Sequence, residues 1–203
     1  MAQRGWRLLV FIGTLSLPCY WLFEAAVGRL GPDPGKVLVD NLGNGSLVLL
    51  LLTLAMSPLN RLARWGGWMA VRRQLGLWSF TYASLHLAGY FIFMLGLELS
   101  RLIEETRERP YILVGLLAYL GLLALAFTST RASMRRLGKR WKRIHQLIYP
   151  ILSLALLHML WVVRADAAAW ALYAAAGALL IAMRIPGLTK WMNLSWKKSR
   201  NNR

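Results

Sequence analysis

Long apolar runs separated by short basic segments set the pattern of this chain. Six runs approach the roughly 20 residues that a helix needs to cross the hydrocarbon core, at 8–27, 37–56, 75–97, 110–130, 146–163 and 167–183. The third, fourth and fifth contain no Asp, Glu, Lys or Arg; Glu24 lies near the end of the first and Asp40 near the start of the second. The sixth is short and Ala-rich, which leaves five as the fallback count. The pattern predicts an all-α integral membrane protein, a six-transmembrane-helix bundle forming a single domain over residues 1–203, with a short tail at 184–203. Arg4 and Arg7 precede the first run as they would in a signal peptide. That run exceeds a typical hydrophobic region and no A-x-A site follows, so it reads as a retained span. Pro18 directly before Cys19 argues against lipidation, and Cys19 reads as a buried structural thiol.

The charges between the runs give them a direction. With the N-terminus inside, segments 1–7, 57–74, 131–145 and 184–203 carry 2, 4, 7 and 6 Lys plus Arg and no acidic residue. The opposite side carries the other 6 bases (Arg29, Lys36, Arg101, Arg107, Arg109 and Arg164) and all 8 acids. This asymmetry predicts that both termini face the cytoplasm. In a soluble protein, a net charge of +17 and a pI near 11.2 would suggest nucleic-acid binding. Charges confined between apolar runs exclude that reading, leaving membrane lipid as the expected partner of the basic loops. The cluster at 131–143 reads as a topology signal that also meets anionic headgroups, or as a docking surface for a nucleotide, a flavin phosphate or a cytoplasmic partner. A single Cys excludes an internal disulfide framework. No appended soluble domain is visible: 20 residues follow Met183, and the longest outside loop is 98–109. With no room for a dinucleotide-binding domain, the chain is expected to work between partners rather than to oxidise a nicotinamide itself.

Three histidines remain, His86, His145 and His158. Ionisable groups inside a bilayer are costly and mark function. His86 lies 13 residues past Arg73 and His158 lies 15 past Arg143, so both sit about 20 Å from the inner boundary at 1.5 Å per residue. The third and fifth runs point the same way, which puts two imidazoles at matched height on parallel helices. Axial ligation of a haem iron requires such a pair; the alternative is two histidines each bonded to a neighbouring helix. His145 lies at the rim, about 20 Å below His158 and some 140° off its helical face, although Pro150 can kink the helix between them. Three readings stay open for it: an iron ligand with a non-histidine partner, a donor at a quinone site, or an interfacial residue. The positions facing it on the third run are Arg72 and Arg73, poor iron ligands but good partners for haem propionates, a flavin phosphate or a quinone. Trp78, Tyr82 and Tyr90 bracket His86 and read as porphyrin lining or as ordinary packing. Glu24 reads as an outer-interface residue or a proton relay.

Several of these residues together carry a resemblance. Arg72-Arg73-Gln74-Leu75-Gly76-Leu77 is followed by Tyr82 and His86, then Arg109-Pro110-Tyr111-Ile112 with Gly115, then Thr128-Ser129. Leu137-Gly138 with Trp141, His145, Tyr149 and His158 completes the series. In order and spacing these motifs resemble the MsrQ (YedZ) family of the ferric-reductase-like transmembrane superfamily, over nearly the whole chain. The resemblance implies a membrane b-type cytochrome in the bacterial inner membrane, with one haem b or two. It would carry electrons from the quinone pool, or from a cytoplasmic flavin reductase, to a periplasmic molybdopterin methionine-sulfoxide reductase of the MsrP type. It implies an associated FMN, His86 and His158 as haem ligands, and His145 as a third histidine implicated in haem binding. Arg72 and Arg73 are the candidate contacts for propionate, flavin phosphate or quinone. The chain lacks the fourth histidine and the flavin–nicotinamide domain of the related oxidase cores, which fits an external donor. Two readings from other classes compete with it, a self-sufficient quinol-oxidising or ferric-reducing cytochrome and a haem-free transporter or scaffold.

Overall fold

The computed structural model describes residues 2–163 and 167–184. Among the described residues every regular element is helical. In hydrocarbon no water can satisfy stray backbone groups, so an apolar spanning segment must close its own hydrogen bonds as a helix. Helix α1 covers Ala2–Ala26 and α2 covers Pro34–Ala63. Asp33 caps α2 by accepting from the Lys36 N–H at 3.0 Å, and Pro34 occupies the first turn, where its missing N–H costs nothing. Helix α3 (Gly67–Gly89) ends in a π-helical turn, Tyr90–Met94. Gly96 and Leu97, both at positive φ, then redirect the chain.

Next come α4 (Leu99–Glu108), α5 (Pro110–Phe127) and the short α6 (Arg131–Leu137). Gly138, at φ +51°, separates α6 from α7 (Lys139–His145), which leads through Gln146 and Leu147 into α8 (Ile148–Val162). The last described element is α9 (Ala167–Ala182).

Four stretches are long and apolar enough to cross a membrane: Gln3–Ala26, Pro34–Ala63, Pro110–Phe127 and Lys139–Val162. A fifth is counted if Gly67–Met94 and Leu99–Glu108, bent by 101°, form one span. The expected sixth, α9, has 16 residues, about 24 Å at 1.5 Å per residue and short of a hydrocarbon core of about 30 Å. The described helices therefore give four or five spans by length and composition where the sequence pattern predicts six. Two further expectations change. The supposed outside loop at 98–109 is largely the helix α4, whose polar residues and cross-turn ion pairs let it lie across the end of α3. Cys19 is exposed on α1, not buried. Leu15, Leu17, Tyr20 and Leu22 around it are exposed too, as expected of a helix face turned to lipid.

The helices pack as two pairs, α2 along α3 and α5 along α8. Helix α3 touches α5 and joins the pairs, α1 covers α3, and α9 rests on α8 and α2. Lipid is as apolar as Leu, so close backbone approach and interhelical hydrogen bonds must hold such a bundle. Between α2 and α3 the two backbones are tied reciprocally. Ser46 Oγ donates to the Ser79 carbonyl and Ser79 Oγ to the Ser46 carbonyl, each at 2.9 Å. Helix α2 is central: Leu38, Leu42, Leu49 and Met56 pack with Val71, Leu75 and Tyr82 of α3. Its Leu47, Leu50, Leu51 and Leu54 pack with Leu122, Leu125, Ile151 and Leu152 of α5 and α8.

Candidate haem site

The imidazole rings of His86 on α3 and His158 on α8 face each other with centroids 6.3 Å apart and planes at 84°. Each is fixed from behind in the same way. His86 Nδ1 lies 2.8 Å from the Val39 carbonyl oxygen, and His158 Nδ1 lies 2.7 Å from the Tyr111 carbonyl oxygen. A carbonyl only accepts, so Nδ1–H is the donor in both rings and Nε2 keeps its free lone pair. This arrangement holds an imidazole in the tautomer and orientation of a metal ligand. The separation fits as well. Two metal–imidazole bonds of about 2.0 Å, plus roughly 1 Å from each nitrogen to its ring centre, put two coaxial centroids about 6 Å apart.

Glycines make room for both rings. A Cβ at Gly43 would lie 2.9 Å from His86 Nδ1, and one at Gly115 would lie 2.8 Å from both Nδ1 and Cε1 of His158. Val39 and Gly43 are one turn apart on α2, as Tyr111 and Gly115 are on α5. The two halves of the site are therefore one motif used twice: a carbonyl, a glycine four residues on, and a histidine 47 residues after the carbonyl. The sequence reading missed Gly43 altogether and gave Gly115 no role. Comparing the chain with itself at an offset of 72 residues would have exposed both. That offset superposes Gly43 on Gly115 and Gln74-Leu75 on Gln146-Leu147, and brings Ala83, Leu85 and His86 onto Ala155, Leu157 and His158.

Among the described residues no group of three or more His, Cys, Asp or Glu converges. The described residues therefore offer two neighbouring imidazoles rather than a closed cage of side chains. That donor set suits a metal whose remaining ligands come from a macrocycle, and so the residues fit haem.

His145 stands apart from this pair. It ends α7, stacks on Trp141 with centroids 4.0 Å apart, and its Nε2 is 3.2 Å from the Thr128 hydroxyl. Trp141 in turn donates from Nε1 to the Thr128 carbonyl at 2.9 Å. The two arginines diverge. Arg72 is half-buried. Arg73 is exposed and lines a cleft of about 500 Å³ between α1 and α3, together with Arg7, Phe11, Gln74 and Trp78.

Tyr82 is 1 % exposed, but it donates its hydroxyl to the Thr14 carbonyl at 2.6 Å and sits between Trp21 and Trp78. It thus joins α3 to α1 and packs as structural filling. Glu24 pairs with Arg29 at 3.5 Å just beyond α1, in keeping with an interfacial role.

Residues 42–165 match the family described as "Ferric reductase like transmembrane component", a stretch that holds both histidines, both glycines, most of α2 and the whole of α3, α5 and α8. The chain is 43% identical over 191 residues to the "Protein-methionine-sulfoxide reductase heme-binding subunit MsrQ" of Cronobacter sakazakii, covering 93% of this chain and 96% of that protein. With its apolar helices and opposed histidines, this multi-pass membrane chain belongs to the MsrQ family, within the ferric-reductase-like transmembrane superfamily.

Proposed function

We propose that this protein is the haem-binding electron-transfer subunit of a methionine-sulfoxide reductase system, delivering electrons across the bacterial inner membrane to a periplasmic molybdopterin partner of the MsrP type. The observation that carries the reading is the pair of imidazoles 6.3 Å apart, each with Nδ1–H donated to a carbonyl and Nε2 left free. The name of the Cronobacter relative, a haem-binding subunit of such a reductase, supports it. Haem, when bound, supplies a one-electron redox couple. His86 and His158 would hold it through their Nε2 atoms, with the Val39 and Tyr111 carbonyls keeping both rings in register. The packed helix pairs keep the site away from water, which favours electron transfer between fixed partners over side reactions.

The basic ends of the chain lie in the cytoplasm in this reading, with both termini, and α4 lies on the periplasmic side. The donor is the quinone pool or a cytoplasmic flavin reductase, and FMN is expected from the family resemblance. Arg73, which lines the cleft between α1 and α3, would contact that donor, and Arg72 the propionate or phosphate of a cofactor. His145 acts as a secondary ligand or donor group near the cytoplasmic rim.

The test is a dithionite-reduced minus oxidised spectrum of detergent-purified protein beside His86→Ala, His158→Ala and His145→Ala. A b-type spectrum abolished by the first two and only diminished by the third is expected. A folded, haem-supplied wild type with no haem signal would end the electron-transfer reading and return the histidines to a transporter or scaffold role.

A further inference from the structure

The cleft of about 500 Å³ between α1 and α3 is polar at one end and apolar at the other. At the polar end two contacts tie the helices. Arg7 Nε donates to the Ala70 carbonyl at 3.1 Å, and Gln74 Nε2 donates to the Arg7 carbonyl at 2.9 Å. One turn on, Phe11 meets Trp78 with ring centroids 5.3 Å apart, and Leu77 completes the apolar floor. Both helices thus present the same order in the same direction, arginine first and aromatic ring second. The cleft extends from Ala70 to Thr81, about 16 Å at 1.5 Å per residue. Its volume lies within the range of about 300–1,000 Å³ usual for small-molecule sites. With Nε engaged, Arg7 has both Nη groups left over, and Arg73 is exposed. The four ion pairs among the described residues involve neither arginine. Segments 1–7, 57–74, 131–145 and 184–203 contain no Asp or Glu, so this end of the bundle supplies no counter-charge. A cleft lined by charge of one sign and backed by apolar walls focuses its field on whatever enters.

We infer that the α1–α3 cleft is a binding site for an anionic phospholipid. Its phosphate lies between Arg7 and Arg73, and its glycerol and first acyl carbons lie over Phe11, Leu77 and Trp78. Guanidinium forks pair well with phosphate oxygens. Charge selects the lipid, because a zwitterionic headgroup would bring an ammonium to a place that already holds two cations and no acid. Free phosphate would leave the apolar half of the cleft unused. Much of α1 is exposed, so a lipid wedged against it adds a further link to α3 beside the bonds at Arg7 and Thr14. The site does not rest on the haem reading; a donor that contacts Arg73 does so by displacing this lipid.

The experiment relipidates the detergent-purified full chain with equal amounts of phosphatidylglycerol and phosphatidylethanolamine. Lipid retained per chain is then counted by native mass spectrometry. Wild type is compared with Arg73→Gln, with Leu77→Gln, which keeps both arginines, and with Arg135→Gln, a charge-matched control at an exposed position on α6. Wild type should retain phosphatidylglycerol in preference. Arg73→Gln should lower that retention about fivefold, the share of one arginine at an anionic lipid surface. Leu77→Gln should lower it as well, and Arg135→Gln should leave it unchanged. Phosphatidylglycerol, but not inorganic phosphate, should raise the thermal midpoint of wild type, and by less in Arg73→Gln. Equal retention of the two lipids, or unchanged retention in Arg73→Gln, overturns the site. Equal loss from Arg135→Gln does so too, because it shows a diffuse attraction to the whole basic surface. A wild type that retains no phosphatidylglycerol but binds a short-chain quinone through Arg73 overturns it in favour of the donor. A chain that binds no haem defeats the function proposed above, while lipid retention still reads out the cleft.

Discussion

Replacing Gly115 with Ala tests the haem-site geometry most directly. The added methyl would lie 2.8 Å from Nδ1 and Cε1 of His158, against about 3.5–4.0 Å for relaxed contact. The ring must retreat by roughly 0.7 Å or more to restore that distance. Its bond to the Tyr111 carbonyl begins at 2.7 Å, so the same retreat pushes it past the usual N–H···O range of about 2.7–3.2 Å. Overpacking of this kind costs about 1–3 kcal/mol. Losing the hydrogen bond that orients a ligating histidine lowers metal affinity about 10–100-fold. Gly115→Ala should therefore weaken haem binding by at least tenfold, read as Soret absorbance per mole of purified protein while haem is titrated from limiting concentrations. Gly43→Ala, whose methyl would lie 2.9 Å from His86 Nδ1, should behave alike. Gly76→Ala on the same helix as His86 is the control, because its nearest side-chain atom, Thr53 Cγ2, would be 3.6 Å away. Wild-type haem binding by Gly115→Ala would refute the argument. Equal damage from Gly76→Ala would show that glycine loss harms the helices generally rather than the imidazole pocket.

Other consequences follow from the same contacts. Ser79→Ala removes one of the two reciprocal bonds between α2 and α3; at about 1 kcal/mol net, the thermal midpoint in detergent should fall by about 2–4 °C, and an unchanged midpoint would show the clamp to be inert. Tyr82→Phe deletes only the hydroxyl bonded to Thr14, so it should lower stability by about 0.5–1.5 kcal/mol and leave the haem spectrum intact; an altered spectrum would mean that Tyr82 lines the porphyrin after all. Glu104 and Glu108 are exposed one turn apart on α4. If this face docks the partner, Glu104→Lys with Glu108→Lys should slow electron delivery to a purified MsrP-type reductase several-fold without changing the haem spectrum, and an unchanged rate would move the docking surface elsewhere.

Much of this protein is legible in one dimension. A bilayer imposes a length and an apolar composition on every spanning helix, so the runs at 37–56, 110–130 and 146–163 announce themselves; the first lies within α2 and the other two overlap α5 and α8 to within three residues at each end. Lone histidines in such runs are conspicuous for the same reason, and helical rise alone sets His86 and His158 at one height. What the sequence left open has one cause. The sequence treats a helix as a run, whereas whether α9 spans, or α4 lies across the end of α3, depends on how each meets its neighbours. Cys19 shows the same limit, since an apolar residue on a lipid-facing helix looks identical in sequence to one in a core.

Only tertiary structure decided what surrounds the histidines. The acceptors that fix their tautomers are the backbone carbonyls of Val39 and Tyr111, and a carbonyl leaves no signature in residue type. Gly43 and Gly115 matter because of what stands opposite them across a helix interface, and that is invisible from their own helices. The same holds for the arginines. Arg72 and Arg73 are adjacent in sequence, but about 100° of helical rotation separates consecutive residues, which leaves one half-buried and the other exposed in the cleft beside α1. Sequence sets which groups the membrane must hide, and packing sets which of them meet.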